Sequence, residues 1–227
     1  MIDMSVAPME PSPPLPVKPD PADAPFPLSE IGPEIGGALV PGEPLWVFAY
    51  GSLMWNPDFE YDRSVSSLLR GYHRRFCVYS HRYRGTPERP GLVLGLDRGG
   101  ACRGVAFRIP PSAISSALEE LWEREMRGGV YTAKSLPVET ADGRVLTLAF
   151  VARHDHVNYA GRLTERQTAE LILQGVGGRG PCCDYLANTV DHLTKLGIQN
   201  SPLHGLDRLV AELRQLQCER TDIDLGL

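Results

Sequence analysis

LWVFAYGSL, at residues 45–53, is the most informative segment of this 227-residue chain. Its first five residues form a short apolar run, which is typical of a buried β-strand. We expect the strand to end near Gly51, where the chain turns and releases backbone N–H groups. Amides released at the end of a strand can bind a carboxylate or an oxyanion. The segment therefore predicts either a small-molecule pocket at the mouth of a β-structure or an ordinary Gly-Ser turn.

The composition is typical of a single globular domain that acts on a small molecule. Hydrophobic residues make up 42% of the chain and charged residues 22%, which is enough to build a real core. The net charge is −5 with no cluster of Lys and Arg, so we expect no nucleic-acid partner. No apolar run approaches the roughly 20 residues that span a bilayer, so we expect no membrane association. Protein partners are not predicted.

Cysteine usage and the N-terminus favour a cytoplasmic protein. The five cysteines are an odd set without CxxC spacing, which fits a reducing compartment better than a disulfide framework or a zinc site. The N-terminus lacks a basic segment followed by an apolar one, so no secretory signal is expected.

Three regions are distinguished by composition. Prolines are spaced throughout residues 1–44 and aromatic residues are almost absent, so a largely irregular Pro-rich arm is predicted there. Residues 45–218 are predicted to form the domain, and residues 219–227 a C-terminal tail. In the domain, strands precede helices and antiparallel hairpins dominate, which favours an α+β fold with a barrel-like or strongly curled sheet.

The expected elements follow from apolar runs and turn residues. Short strands are predicted at residues 75–79, 92–96 and 103–109, with a hairpin at Gly99-Gly100 between the last two. A helix with Ser112 as its N-cap is predicted over residues 112–127. Strands at 130–138 and 145–152 and helices at 164–174, 181–196 and 206–217 complete the prediction.

One carboxylate lies on the apolar face of the predicted helix 112–127. At about 100° per residue, Glu125 points about 20° from Leu118, in the middle of that face. A carboxylate facing a core is costly unless it is paired or protonated, and its raised pKa suits a general acid/base near neutral pH. The alternative is that Glu125, in the last turn, points outward or pairs with Arg124 or Arg127.

Segments in four places together resemble a known family. They are residues 47–55 (VFAYGSLMW), residues 84–96 (RGTPERPGLVLGL), Arg124-Glu125-Met126 with Gly128-Gly129 and Tyr131 behind it, and Tyr185-Leu186-Ala187-Asn188 before Lys195-Leu196-Gly197. In this order they resemble the ChaC-type γ-glutamylcyclotransferases, over roughly residues 45–216. The resemblance implies a compact mixed β-barrel with flanking helices and no metal or organic cofactor. It also implies that glutathione is the substrate and is cleaved to 5-oxoproline and Cys-Gly.

The resemblance also implies roles for individual residues. Glu125 is the expected general acid/base, and Tyr185 is expected to donate its hydroxyl to the substrate unless it is simply a core tyrosine. The backbone is expected to bind the glutamyl group at Val47, Phe48, Ala49, Tyr50, Gly51, Ser52 and Leu53. Two alternatives stay open: a different γ-glutamyl amino acid or amine as substrate, and a non-catalytic regulatory or binding module on the same fold.

Weaker signals have mainly structural interpretations. His154-Asp155-His156 is interpreted as a polar loop, since no third and fourth metal ligand is evident. Residues 175–180 are glycine-rich but lack the Gly-Lys-Ser/Thr ending of a phosphate loop, so they are interpreted as a flexible connector near the pocket. His73, His81, Arg82 and Arg84 could help to bind a peptide carboxylate.

Overall fold

The computed structural model describes residues 37–224, with side chains up to residue 217. Most of the predicted arm therefore lies outside the described residues, and residues 37–44 form turns and irregular backbone. Of the predicted tail, residues 219–224 continue the last helix. No helix in this described part of the chain has both the length and the apolar character to cross a bilayer.

A closed five-stranded barrel forms the centre of the fold. Its strands are β1 (Leu45–Ala49), β2 (Arg63–Ser80), β3 (Gly91–Ile109), β4 (Tyr131–Thr140) and β5 (Gly143–Ala152). They neighbour one another in the order β1-β3-β2-β4-β5, the pairing of β5 with β1 closes the barrel, and β3 and β5 form an additional pairing. Most pairs are antiparallel, but β5 runs parallel to β1 and β3, so the barrel is mixed, as predicted.

The predicted hairpin at Gly99-Gly100 is wrong, because β3 runs straight through these glycines. Their φ angles of 94° and 69° lie in the left-handed region, as does the φ of 84° at Gly71 on β2. The β2–β3 register shifts beside Gly71, between Arg70 and Tyr72. The glycines therefore allow an irregularity within a long pair of strands and do not form a turn. The real β2–β3 connection spans residues 81–90, and the start of β2 at 63–74 was not predicted.

Within residues 37–224, four α-helices flank the barrel: α1 (Ile114–Leu121), α2 (Glu165–Gln174), α3 (Cys182–Lys195) and α4 (Pro202–Asp224). Helix α4 begins earlier and ends later than predicted. Helices α2, α3 and α4 pack on one another, and α2 and α3 also pack on β3. The predicted connector at residues 175–180 is more regular than expected, since Val176–Gly177 (β6) pairs with Gly180–Pro181 (β7).

The helix starts show one correct and one wrong prediction. Thr164 caps α2 with a full capping box, in which its hydroxyl accepts from the Gln167 N–H and the Gln167 side chain accepts from the Thr164 N–H. Ser112 is not an N-cap, because it lies inside a 3₁₀ turn, Pro111–Ala113. Ala113 precedes α1 and provides no side-chain cap. The two prolines at 110 and 111 favour a tight turn before the helix can begin.

Candidate active site

Glu125 lies in a π-helical turn, Trp122–Met126, that directly follows α1. The Arg127 N–H donates to the Trp122 carbonyl at 3.1 Å, which is the i to i−5 bond of this geometry. The side chain of Glu125 is only 14% exposed, so the predicted inward orientation is confirmed. The periodicity of 100° per residue, from which this orientation is predicted, describes an α-helix and not the wider π turn that Glu125 occupies. Such turns occur often at functional sites.

Burial raises the pKa of the Glu125 carboxyl, while the positive charges of Arg124 and then Arg179 lower it. The Arg124 Nε lies 3.4 Å from Glu125 Oε1. The pairing that the alternative interpretation envisaged is thus present, but it coexists with burial. A carboxyl under these opposed influences can hold or release a proton nearer to neutral pH than an exposed glutamate.

Arg124 connects this turn to the loop after β1. Its Nη2 donates to Ser52 Oγ at 2.8 Å, and its Nη1 donates to the Asn56 carbonyl at 2.6 Å and to Asp58 Oδ2 at 2.7 Å. The Arg124 side chain is only 10% exposed. Because Arg124 and Glu125 are neighbours in sequence, these bonds fix the position of the carboxylate relative to the loop. From the sequence, Arg124 is predicted only as a possible partner of Glu125, and its bonds to the loop are not predicted.

The loop itself is a 3₁₀ turn at Ser52–Met54, where the Met54 N–H donates to the Gly51 carbonyl at 2.8 Å. Tyr50, which precedes the turn, and Leu53, which lies within it, are both buried. The first N–H groups of such a turn have no partner within it and point away from its start. The released amides that the sequence predicts at the end of β1 are consistent with this geometry.

Strand β1 directly precedes this loop and is fixed within the barrel. Val47, Phe48 and Ala49 have no exposed surface and pair with residues 105–107 of β3. Val47 also pairs with Leu148 of β5. These three residues therefore contribute buried side chains and ladder hydrogen bonds, while Tyr50 to Leu53 extend beyond the barrel. Their predicted backbone contact with substrate stays a prediction.

Three buried tyrosines lie around Glu125. Burial raises the pKa of Tyr185 on α3, and the Glu125 charge raises it further. Burial and then the Glu125 charge also raise the pKa of Tyr131, whose hydroxyl donates to the Leu94 carbonyl at 2.8 Å. Burial, Tyr131 and Glu125 raise the pKa of Tyr50. All three hydroxyls therefore stay protonated beside the carboxylate, and the single proton of the Tyr131 hydroxyl is already donated to the Leu94 carbonyl.

Tyr185 meets the loop after β1 directly. A Cβ added at Gly51 would lie 3.0 Å from the Tyr185 hydroxyl oxygen, so only a glycine leaves this oxygen undisturbed. The Tyr185 ring also contacts Trp55 and Phe76, with centroids 6.0 and 5.8 Å away. The predicted site residues from the first strand, from the segment of Glu125 and from α3 are thus brought together.

The His154-Asp155-His156 loop serves a structural network elsewhere. His154 Nε2 lies 2.6 Å from Asp97 Oδ1. The other Asp97 oxygen accepts from Arg75 Nη1 and from the Tyr159 hydroxyl, each at 2.9 Å. This network ties β2 and β3 to the segment after β5, and it agrees with the interpretation of a polar loop.

A family model described as ChaC-like protein matches residues 45–216. The chain is 36% identical over 177 residues to "Glutathione-specific gamma-glutamylcyclotransferase" of Escherichia coli (strain K12), covering 78% of this chain and 75% of that protein. It is 34% identical over 205 residues to the protein of the same name in Schizosaccharomyces pombe, covering 81% and 98%. It is 36% identical over 170 residues to "Glutathione-specific gamma-glutamylcyclotransferase 1" of Homo sapiens, covering 72% and 77%.

A crystal structure of a yeast γ-glutamyl cyclotransferase specific to glutathione has a similar fold. It superposes with a TM-score of 0.67 at 24% identity, over 76% of this chain and 100% of that one. The mixed barrel with flanking helices is therefore shared. The resemblance drawn from the four sequence segments is confirmed, and the chain belongs to the ChaC-like family.

Proposed function

We propose that this protein is a γ-glutamylcyclotransferase that cleaves glutathione to 5-oxoproline and Cys-Gly. The observation that carries the proposal is the shielded Glu125 carboxyl, held beside the loop after β1 by Arg124 and surrounded by tyrosine hydroxyls. The relatives from Escherichia coli, Schizosaccharomyces pombe and Homo sapiens, which are named for this activity, support the same reaction.

The reaction is an internal aminolysis and has three requirements. The glutamyl group must be folded back so that its α-amine reaches its own γ-carbonyl, and enforced proximity supplies much of the rate. The α-ammonium must lose a proton before attack, and the departing amine must gain one. The tetrahedral oxyanion formed between these steps needs hydrogen-bond donors.

Glu125 can carry both proton transfers. As a carboxylate it accepts a proton from the α-ammonium, and the free amine then forms the new N–C bond at the γ-carbon. When the intermediate collapses, the bond to the cysteinyl nitrogen breaks and the Glu125 carboxyl gives its proton to that nitrogen. The ring nitrogen loses its second proton in the same stage, and the released amine of Cys-Gly takes up a proton to leave as an ammonium group. The raised pKa caused by burial makes Glu125 a stronger base for the first transfer and lets its carboxyl hold the proton until the second.

The donors for binding come from the loop and the tyrosines. The N–H groups of Gly51, Ser52 and Leu53 are suited to the glutamyl α-carboxylate or to the oxyanion, with the Tyr50 backbone beside them. Val47, Phe48 and Ala49 would line the same slot through their backbone. The Tyr185 hydroxyl, next to Gly51, is the side-chain donor that we assign to the bound glutamyl group.

We also propose a cytoplasmic location, which the thiols support. Four cysteines have described side chains, and all four are free: Cys77, Cys102, Cys182 and Cys183. Free thiols persist most readily in a reducing compartment.

The test is turnover of defined γ-glutamyl compounds by the purified protein. We expect 5-oxoproline and Cys-Gly from glutathione, and no product from a Glu125→Gln variant of equal thermal stability. If other γ-glutamyl amino acids or amines give product but glutathione does not, the assignment of glutathione as the substrate is overturned. No product from any member of the panel would overturn the activity and favour a binding module.

A further inference from the structure

The β6–β7 hairpin is fixed to the loop at residues 82–84. The Gly178 N–H donates to the Arg82 carbonyl at 2.8 Å, and the Arg179 N–H donates to the Tyr83 carbonyl at 2.9 Å. From the other side, Arg84 Nη1 donates to the Pro181 carbonyl at 2.9 Å. Hydrogen bonds in both directions hold the hairpin turn, and with it the Arg179 side chain, against the loop that carries Arg84.

Two guanidinium groups lie beside the candidate active site as a result. The Arg84 Cζ is 5.3 Å from the centroid of the Tyr185 ring, whose hydroxyl contacts the loop after β1. Arg84 Nη1 also lies 3.7 Å from a Cβ added at Gly180, the neighbour of Arg179. The Arg179 Cζ sits 4.6 Å from the centroid of the Tyr83 ring. We call Arg84 and Arg179 the arginine pair.

The arginine pair carries charge that the described part of the chain does not neutralise by direct contact. Within residues 37–217, neither guanidinium forms an ion pair with a carboxylate. The Arg179 charge nevertheless reaches the active site, because it lowers the pKa of Glu125 against the effect of burial. Two cations without a carboxylate partner, next to Tyr185 and the residues around Glu125, are suited to an anionic part of the ligand.

We propose that Arg84 and Arg179 bind the C-terminal carboxylate of the Cys-Gly half of glutathione. The inference rests on the proposed function and adds the substrate's second anchor. The two residues beyond the scissile bond span at most about 7 Å, and the Arg84 Cζ lies 5.3 Å from the ring centroid of Tyr185, which we assign to the glutamyl group. The terminal carboxylate therefore stays within reach of the arginine pair. A γ-glutamyl amine lacks this carboxylate, and a γ-glutamyl amino acid carries it one residue nearer to the scissile bond. The arginine pair would therefore favour the tripeptide.

The test compares glutathione with its analogue in which the glycine carboxylate is a carboxamide. For the wild-type protein we expect the KM of the amide to exceed that of glutathione by about 10-fold to 100-fold, the effect of a lost charged hydrogen bond. In the Arg84→Gln/Arg179→Gln variant this ratio should fall to about 1, with a smaller change in kcat. Arg179→Lys keeps the charge and should retain part of the ratio. Arg166→Gln, on the exposed face of α2, removes the same charge elsewhere and should keep the full ratio.

Two results would overturn the proposal: a wild-type protein that treats both compounds alike, and a double variant that keeps the wild-type ratio. If the double variant does not fold, Arg179→Gln alone must lower the ratio by at least about threefold, and an unchanged ratio counts against the proposal. Calorimetric binding of both compounds to Glu125→Gln, with and without Arg179→Gln, separates this site from turnover. One outcome would overturn the proposed function but not the carboxylate site. In it, glutathione binds more tightly than its carboxamide analogue only when Arg179 is present, and the wild type forms no 5-oxoproline.

Discussion

The Arg124 guanidinium donates a 2.8 Å hydrogen bond to the Ser52 hydroxyl, across 72 positions of sequence. This contact joins the turn that carries Glu125 to the loop that supplies backbone donors. Its residues come from two of the family-like segments, so the contact explains why those segments occur together. A carboxylate and an anion-binding loop can cooperate only if their separation is fixed, and Arg124 fixes it from a largely buried position.

Replacing Glu125 by Gln tests the assignment of the general acid/base. The amide keeps the shape but cannot accept the α-ammonium proton, so we expect kcat to fall by at least about 100-fold. Substrate binding, measured by calorimetry, should survive. Glu123→Gln is the matched control, because Glu123 lies in the same turn, is 63% exposed and pairs with Arg127. Near-normal turnover by Glu125→Gln would transfer the chemistry to another group, with Glu123 and Glu88 as the next candidates.

Replacing Arg124 by Gln tests its role as a positioning residue. We expect kcat to fall by about 10-fold or more, because the bonds to Ser52, Asn56 and Asp58 are lost. The Arg124 charge lowers the pKa of Glu125, so its removal lets that pKa rise. The acidic limb of the kcat profile, where the base loses activity by protonation, should therefore move to higher pH. A lower kcat with an unmoved acidic limb would indicate a merely structural role.

The sequence predicts the parts of this protein that depend on local pattern. Strand β1, the β4–β5 hairpin and the start of α2 near Thr164 all match, because apolar runs and turn residues act over a few residues. Gly99-Gly100 misled the prediction, since the local signal for a turn resembles that for an irregular strand. Pairing with distant β2 residues decides between them.

In the candidate site, too, features set by local pattern are predicted and features set by tertiary packing are not. Glu125 was found from helical periodicity, although the last turn is π-helical. The contact between Arg124 and Ser52 and the placement of Arg179 depend on tertiary packing, and no local pattern could reveal them. Tyr131 followed the Gly128-Gly129 pair in a family-like segment but was not assigned to the site. Its burial beside Glu125 is a consequence of the barrel.

Gly51 and Tyr185 should be energetically coupled. A Cβ at Gly51 would lie 3.0 Å from the Tyr185 hydroxyl oxygen, so Gly51→Ala should displace that hydroxyl and lower kcat/KM. Tyr185→Phe removes one hydrogen bond to substrate and should lower kcat/KM by about 10-fold. In the double variant the crowding is relieved, so the combined loss should be smaller than the product of the single losses. Strictly multiplicative losses would show that the two residues act independently.

Asp97 should stabilise the fold in a pH-dependent manner. Burial alone would raise the pKa of this carboxyl, but hydrogen bonds from Tyr159, the Arg98 N–H and His154 hold it below the ordinary value. Its contribution should therefore be fully present above the unfolded pKa of about 3.9 and be lost as pH falls through the lower folded value. Asp97→Asn leaves the Arg75 guanidinium without its carboxylate, and we expect a loss of about 3 kcal/mol near neutral pH.

Chemical denaturation from neutral pH down to about pH 3 measures this difference. The gap in unfolding free energy between wild type and Asp97→Asn should stay constant above about pH 5 and shrink below about pH 4. Asp155→Asn is the control, because Asp155 carries the same charge in the loop that contributes His154 to the network but is 74% exposed. Its variant should unfold like the wild type, since an exposed pair with Arg153 is largely screened by solvent. If the difference in unfolding free energy between the wild type and Asp97→Asn grows on acidification, the ionised Asp97 carboxylate does not stabilise the fold.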